Sequence, residues 1–159
     1  MIVTSVESGW EVVFQRSHGL LAGQIAERFR DDLKPDLWVE TLDTICSHDD
    51  NKEAFDAKHY ITDLGAPKDF TLVSFSDRKR VEEARRRITD CHRTHRWCGL
   101  LMSRHVEHLY GGEEEVSDEM RELLDSEQDR RKSVLRSLKR KIADLESAYK
   151  VLQWCDRCS

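Results

Sequence analysis

Proline and glycine are scarce in this chain, at 2 and 7 of 159 residues. That excludes a loop-rich all-β fold, whose tight turns need both, and leaves no low-complexity linker. No stretch reaches the roughly 18 apolar residues of a membrane-spanning helix. Residues Met1 to Trp10 lack the basic start and apolar run of a secretion signal. Charge of one sign is also missing: 26 Lys+Arg face 31 Asp+Glu, a formal net charge of -5, whereas a dedicated nucleic-acid binder is usually basic. There is no P-loop, no Rossmann glycine fingerprint and no Gly-x-Ser-x-Gly elbow, which argues against P-loop nucleotide hydrolysis and serine-hydrolase chemistry. We find no internal repeat. The cysteines number five, and an odd count without a secretion signal reads as reduced thiols. A soluble cytoplasmic protein is the expectation.

What is present is charge and helical periodicity. Charged residues make up 36% and hydrophobic ones 38%, so the core is modest, and 159 residues fit one domain. The expected architecture is mainly α: a single-domain helical bundle over 1–159, with a β-hairpin in 1–15, a helical core in 17–110 and a long C-terminal helix in 117–155. Ile2-Val3 and Trp10 to Phe14 bracket Glu7-Ser8-Gly9 and read as the hairpin. Ser17 looks like an N-cap for a helix from His18 to about Arg30, with Leu21, Ile25 and Phe29 on its inward stripe together with His18. Asp31-Asp32 and Pro35 break it. Leu37, Trp38, Leu42, Ile45 and Cys46 mark a second helix that runs into Ser47-His48-Asp49-Asp50-Asn51. Residues 51–75 look irregular, with Gly65-Ala66-Pro67 the strongest break.

Ser76 or Asp77 should cap a third helix through Val81, Ala84 and Ile88, and Thr94 should start a fourth carrying Trp97, Leu100, Leu101, His105 and Leu109 up to Gly111-Gly112. Ser117 follows as an N-cap. One helix is then expected over 118–154, in which Leu135, Leu138, Ile142, Leu145, Tyr149 and Leu152 alternate spacings of three and four. That seam has two readings, a stripe packed into the chain's own bundle or a coiled-coil surface joining two copies.

The candidate chemistry lies in His18, the adjacent His48-Asp49, His105 and Asp156, each in or beside an apolar helical segment. Imidazoles and carboxylates converging from separate helices are how a helical protein holds a divalent metal; manganese, iron, zinc and magnesium suit such donors to different degrees. The bland alternative makes each histidine a hydrogen-bonded core residue. An imidazole separation above about 8 Å would exclude a single site, because metal bonds are roughly 2 Å long. Arg104, next to His105, is the guanidinium best placed to meet phosphate. A sulfur site from Cys155 and Cys158 with Cys91, His95 and Cys98 lacks standard zinc-finger spacing. The basic runs Arg78-Lys79-Arg80, Arg85-Arg86-Arg87 and Lys139-Arg140-Lys141 are interleaved with acids and read as solvated helix faces.

An ordered set of short motifs resembles a family of uncharacterised bacterial proteins, known as a domain of unknown function. The set is Met1-Ile2-Val3, Gln15-x-x-His18, Leu21 to Ala26, His48-Asp49, Phe55-Asp56, Gly65-x-Pro67-x-Asp69-Phe70, His105, and Gln153-x-x-Asp156-x-x-Ser159. It covers most of the chain. The chain departs from the family at Asp50-Asn51-Lys52, where members carry a small residue and Trp, and members continue a little beyond the last residue here. His18, His48-Asp49 and Asp156 are in addition similar to the pattern of HD-domain phosphohydrolases. That similarity implies a metal held by His18, His48, Asp49 and Asp156, with His105 binding substrate or acting as general acid and Arg104 steadying phosphate on a small phosphorylated substrate. The competing expectation is a non-enzymatic helical module that dimerises through Leu135 to Leu152.

Overall fold

The structure, a computed structural model, describes residues 2–50, 61–69, 75–112 and 116–159. The motif positions Met1, Phe55, Asp56 and Phe70, the departures at Asn51 and Lys52, and most of the 51–75 segment expected to be irregular lie outside these residues. As expected, the fold is mainly helical, with a two-stranded antiparallel hairpin of β1 (Ile2–Val6) and β2 (Gly9–Val13). Six α-helices follow among the described residues: α1 (Gln15–Glu27), α2 (Trp38–Ser47), α3 (Asp77–Thr94), α4 (Arg96–Tyr110), α5 (Asp118–Ser137) and α6 (Ile142–Cys158). No helix among these residues is long and apolar enough to cross a membrane.

Helix α4 is the axis of the molecule. Nine of its residues are buried, from Trp97 through Ser103 and then His105 and Val106, so it is covered on nearly every side, as an apolar helix inside a bundle must be. One side joins Leu100 and Leu101 to Ala22, Ala26, Ile45, Leu145, Ala148 and Leu152 from α1, α2 and α6. The other side joins Met102 and Val106 to Val81, Ala84 and Ile88 of α3 and to Met120 and Leu123 of α5. Two buried polar groups on these faces are paired locally: the Trp97 indole donates to Thr41 Oγ1 (3.0 Å), and Arg131 of α5 donates to Ser103 Oγ (2.8 Å) and pairs with Glu107 (2.7 Å).

Several expected boundaries move for physical reasons. Helix α1 begins at Gln15 behind Phe14, with no side-chain cap, so Ser17 lies inside it. Its inward face is His18, Gly19, Ala22, Gly23 and Ala26, whereas Leu21 is 43% exposed. The small residues let α2 approach closely: a Cβ on Gly19 would sit 2.4 Å from the Cys46 carbonyl oxygen, and one on Gly23 2.2 Å from Cys46 Sγ. Ser76 and Ser117 do cap α3 and α5, accepting from the Lys79 and Met120 amides. Helix α4 is capped by His95, whose ring accepts from the Trp97 amide, rather than by Thr94.

The single helix expected over 118–154 is two helices. Lys139 adopts a left-handed conformation (φ 54°), the Arg140 amide bonds the Leu135 carbonyl and the Lys139 amide bonds the Arg136 carbonyl. This is a Schellman ending. Asp144 then accepts from the Lys141 amide and starts α6. Leu135, Leu145, Tyr149 and Leu152 of the heptad seam are buried in the chain's own core, while Ile142 is 57% exposed. The seam is therefore an intramolecular stripe interrupted by a turn.

Candidate metal centre

Three helix ends bring the polar residues together. His18 stands in the first turn of α1, His48 is the C-cap of α2 with Asp49 immediately after it, and Asp156 lies in the last turn of α6. The apolar contacts of Ala22, Ala26, Ile45 and Leu152 pack these helices side by side. His18 Nε2 and His48 Nε2 lie 3.1 and 3.0 Å from Asp156 Oδ1, and 3.7 and 3.8 Å from Asp49 Oδ2. The two ring centroids are 5.4 Å apart, inside the 8 Å bound. One donor atom from each of the four residues fits within a mutual distance of 4.8 Å. A tetrahedron with bonds of roughly 2.1 Å has edges of about 3.4 Å, in the middle of the four cross-distances. A His-His-Asp-Asp group of this size could hold a divalent ion.

The hydrogen bonds behind the rings matter as much as the spacing. His48 Nδ1 is 2.7 Å from the Ile45 carbonyl oxygen, which can only accept, so this nitrogen carries a hydrogen. In a neutral ring, Nε2 is then a lone pair, and it faces a carboxylate oxygen 3.0 Å away. Two acceptors at that distance need a cation between them, either a proton or a metal. Burial opposes charge on His48, but the hydrogen bond to Asp156 and the nearby Asp49 charge outweigh it and raise its pKa. Burial likewise pushes Asp156 up, but the bond and charge of His48, then the bond from His18, bring it down to about 2. The site is built around positive charge.

His105 lies next to this group without joining it. Its ring is 5.4 Å from the His48 ring and perpendicular to it (89°). Nδ1 is 3.5 Å from the Tyr149 hydroxyl, and Nε2 is buried with no hydrogen-bond partner among the described residues. Burial, followed by the charges of His48 and Arg87, lowers its pKa to about 3, so the ring is neutral. Arg104 is engaged elsewhere: it donates to Glu146 (2.8 and 3.4 Å), lies 3.4 Å from Glu107 and stacks over Tyr149.

Arg87 of α3 was hidden in a basic run that reads as a solvated face. Its neighbours fit that reading, with Arg86 on Glu83 and Arg78 on Glu82. Arg87 instead has only 12% of its side chain exposed, donates to the His48 carbonyl and lies 3.8 Å from Asp49 Oδ1. A cavity of about 170 Å³ beside it is lined by Ser47, Asp50, Cys91 and Met102 among others. A sulfur site does not form among the described residues. Cys155 is in the core, Cys158 is exposed, and the extended His95 breaks the continuous helix that would have put Cys91, His95 and Cys98 on one face.

Residues 1–159 match the model of a family described as a protein of unknown function (DUF3891). The chain belongs to that family. No curated protein and no solved structure matches it. For this DUF3891 member the donor geometry is therefore the main guide to chemistry.

Proposed function

We propose that this protein is a divalent-metal-dependent hydrolase of phosphoesters, nucleotides among them, with the HD-type arrangement of His18, His48, Asp49 and Asp156 as its ligands. The observation that carries this reading is the His48 ring, whose Nδ1–H is committed to a carbonyl while its Nε2 faces Asp156 Oδ1 at 3.0 Å. When bound, such an ion lowers the pKa of a coordinated water and polarises a phosphoryl oxygen. Asp49 and Asp156, with side chains 28% and 31% exposed, leave the group open to solvent on their side. His105 would bind a substrate oxygen through its spare Nε2; burial favours that role over proton donation by an imidazolium. Arg104 would steady phosphate, which requires it to exchange Glu146 for substrate. The interaction-module alternative loses support because its seam is used in the chain's own core.

The test is elemental analysis of the purified protein beside a His48→Ala/Asp49→Ala double variant. Near-stoichiometric manganese, iron or zinc in the parent and none in the variant is expected, followed by phosphate release from nucleotide phosphoesters. A parent that takes up no metal even after reconstitution would overturn the reading and leave these residues as hydrogen-bonded boundary groups.

A further inference from the structure

We propose that Ser159 is a positioning residue of the metal centre, holding His18 as a ligand through Nε2. The inference rests on the metal reading of the previous subsection. Ser159 Oγ lies 3.0 Å from His18 Nδ1 and 3.0 Å from the Asp156 carbonyl oxygen. That carbonyl can only accept, so the single hydroxyl hydrogen goes to it. The hydroxyl oxygen then accepts from His18, and Nδ1 carries the ring hydrogen. In a neutral ring His18 Nε2 is then a lone pair aimed at Asp156 and Asp49, as His48 Nε2 is made by the Ile45 carbonyl. A backbone carbonyl does for one histidine what a hydroxyl does for the other. The second contact of Ser159 is to the backbone of the residue whose carboxylate completes the group, so one hydroxyl ties the first turn of α1 to the last turn of α6. Partners of this kind fix the tautomer and ring orientation of metal-bound histidines, and their loss typically costs 10–100-fold in metal affinity.

The experiment compares the parent, Ser159→Ala and Ser159→Thr as full chains. Manganese(II) alone is titrated and free ion is read by electron paramagnetic resonance; zinc-loaded, nitrogen-15-labelled samples are read by imidazole NMR. The expected result is roughly tenfold or greater weakening in Ser159→Ala, with restoration in Ser159→Thr, which keeps the hydroxyl. The zinc-loaded parent should show a slowly exchanging His18 Nδ1–H resonance that disappears in Ser159→Ala, a change that general loosening of the last turn does not predict. If Ser159→Ala binds manganese as the parent does and keeps that resonance, the role of Ser159 is overturned while the metal centre stands. A parent that binds no manganese overturns the metal reading, and this inference with it.

Discussion

Burial keeps His105 neutral in the folded protein, with a pKa of about 3, whereas in the unfolded chain it takes up a proton near pH 6.5. Between those values the unfolded state binds more protons, so this group contributes its stability above about pH 6.5 and loses it as the pH falls, at up to about 1.4 kcal/mol per pH unit. His48 acts in the opposite sense: its raised pKa stabilises the fold below the unfolded value and that contribution fades as the pH rises through the raised one. Urea unfolding of the parent and of His105→Leu at pH 7.5 and pH 5 separates the two. The parent should lose distinctly more stability on acidification, and equal losses would show that His105 is solvated. The sequence exposed His18, His48, Asp49 and Asp156 because polar side chains in apolar helical segments are costly unless they are used. Arg87 carries no such mark, and Ser159 stood out only as the last position of the motif that also holds Gln153 and Asp156. An arginine in a run of three and a serine near a helix end are ordinary in composition, and their partners, His48 and His18, are what give each a role.

Helix order could be read from apolar spacing, but helix number, faces and breaks less so, since one expected helix is two. In α1 the spacing of large residues pointed to Leu21, whereas the buried face is Gly19, Ala22, Gly23 and Ala26, because contact with Cys46 requires small side chains. Small residues give weak hydropathy signals, so this face is nearly silent in sequence. The turn between α5 and α6 was silent for another reason: its left-handed position is Lys139, where glycine would have announced it. Lysine there costs roughly 1 kcal/mol relative to glycine. Lys139→Gly should therefore raise stability by about 0.5–1 kcal/mol, measured as a higher urea midpoint at unchanged slope. A lower midpoint would mean that the Lys139 side chain contributes more than its backbone conformation costs.

At the scale of the whole molecule, α4 joins two apolar clusters, and the candidate metal ligands come from α1, α2 and α6 on one side of it. An ion bound there would cross-link the consecutive helices α1 and α2 to α6 at the far end of the sequence. Stabilisation by a ligand at a hundred times its dissociation constant is about 2.7 kcal/mol, which for a chain of this length corresponds to roughly 5–10 °C in melting temperature. Thermal unfolding with manganese and then with a chelator should show that shift in the parent and none in the His48→Ala/Asp49→Ala variant; helix content before the transition should be the same in all cases. The directions of the helices bear on the same site. Both α2 and α6 end at it, His48 following the last residue of one and Asp156 in the final turn of the other, while α1 begins there. Aligned peptide dipoles give a helix about half a negative charge at its C-terminal end and half a positive charge at its N-terminal end. Two negative ends against one positive end leave the backbone field favouring a cation even before any side chain contributes, and Arg87, bonded to the carbonyl of the α2 cap, is a cation already held at one of the two negative ends.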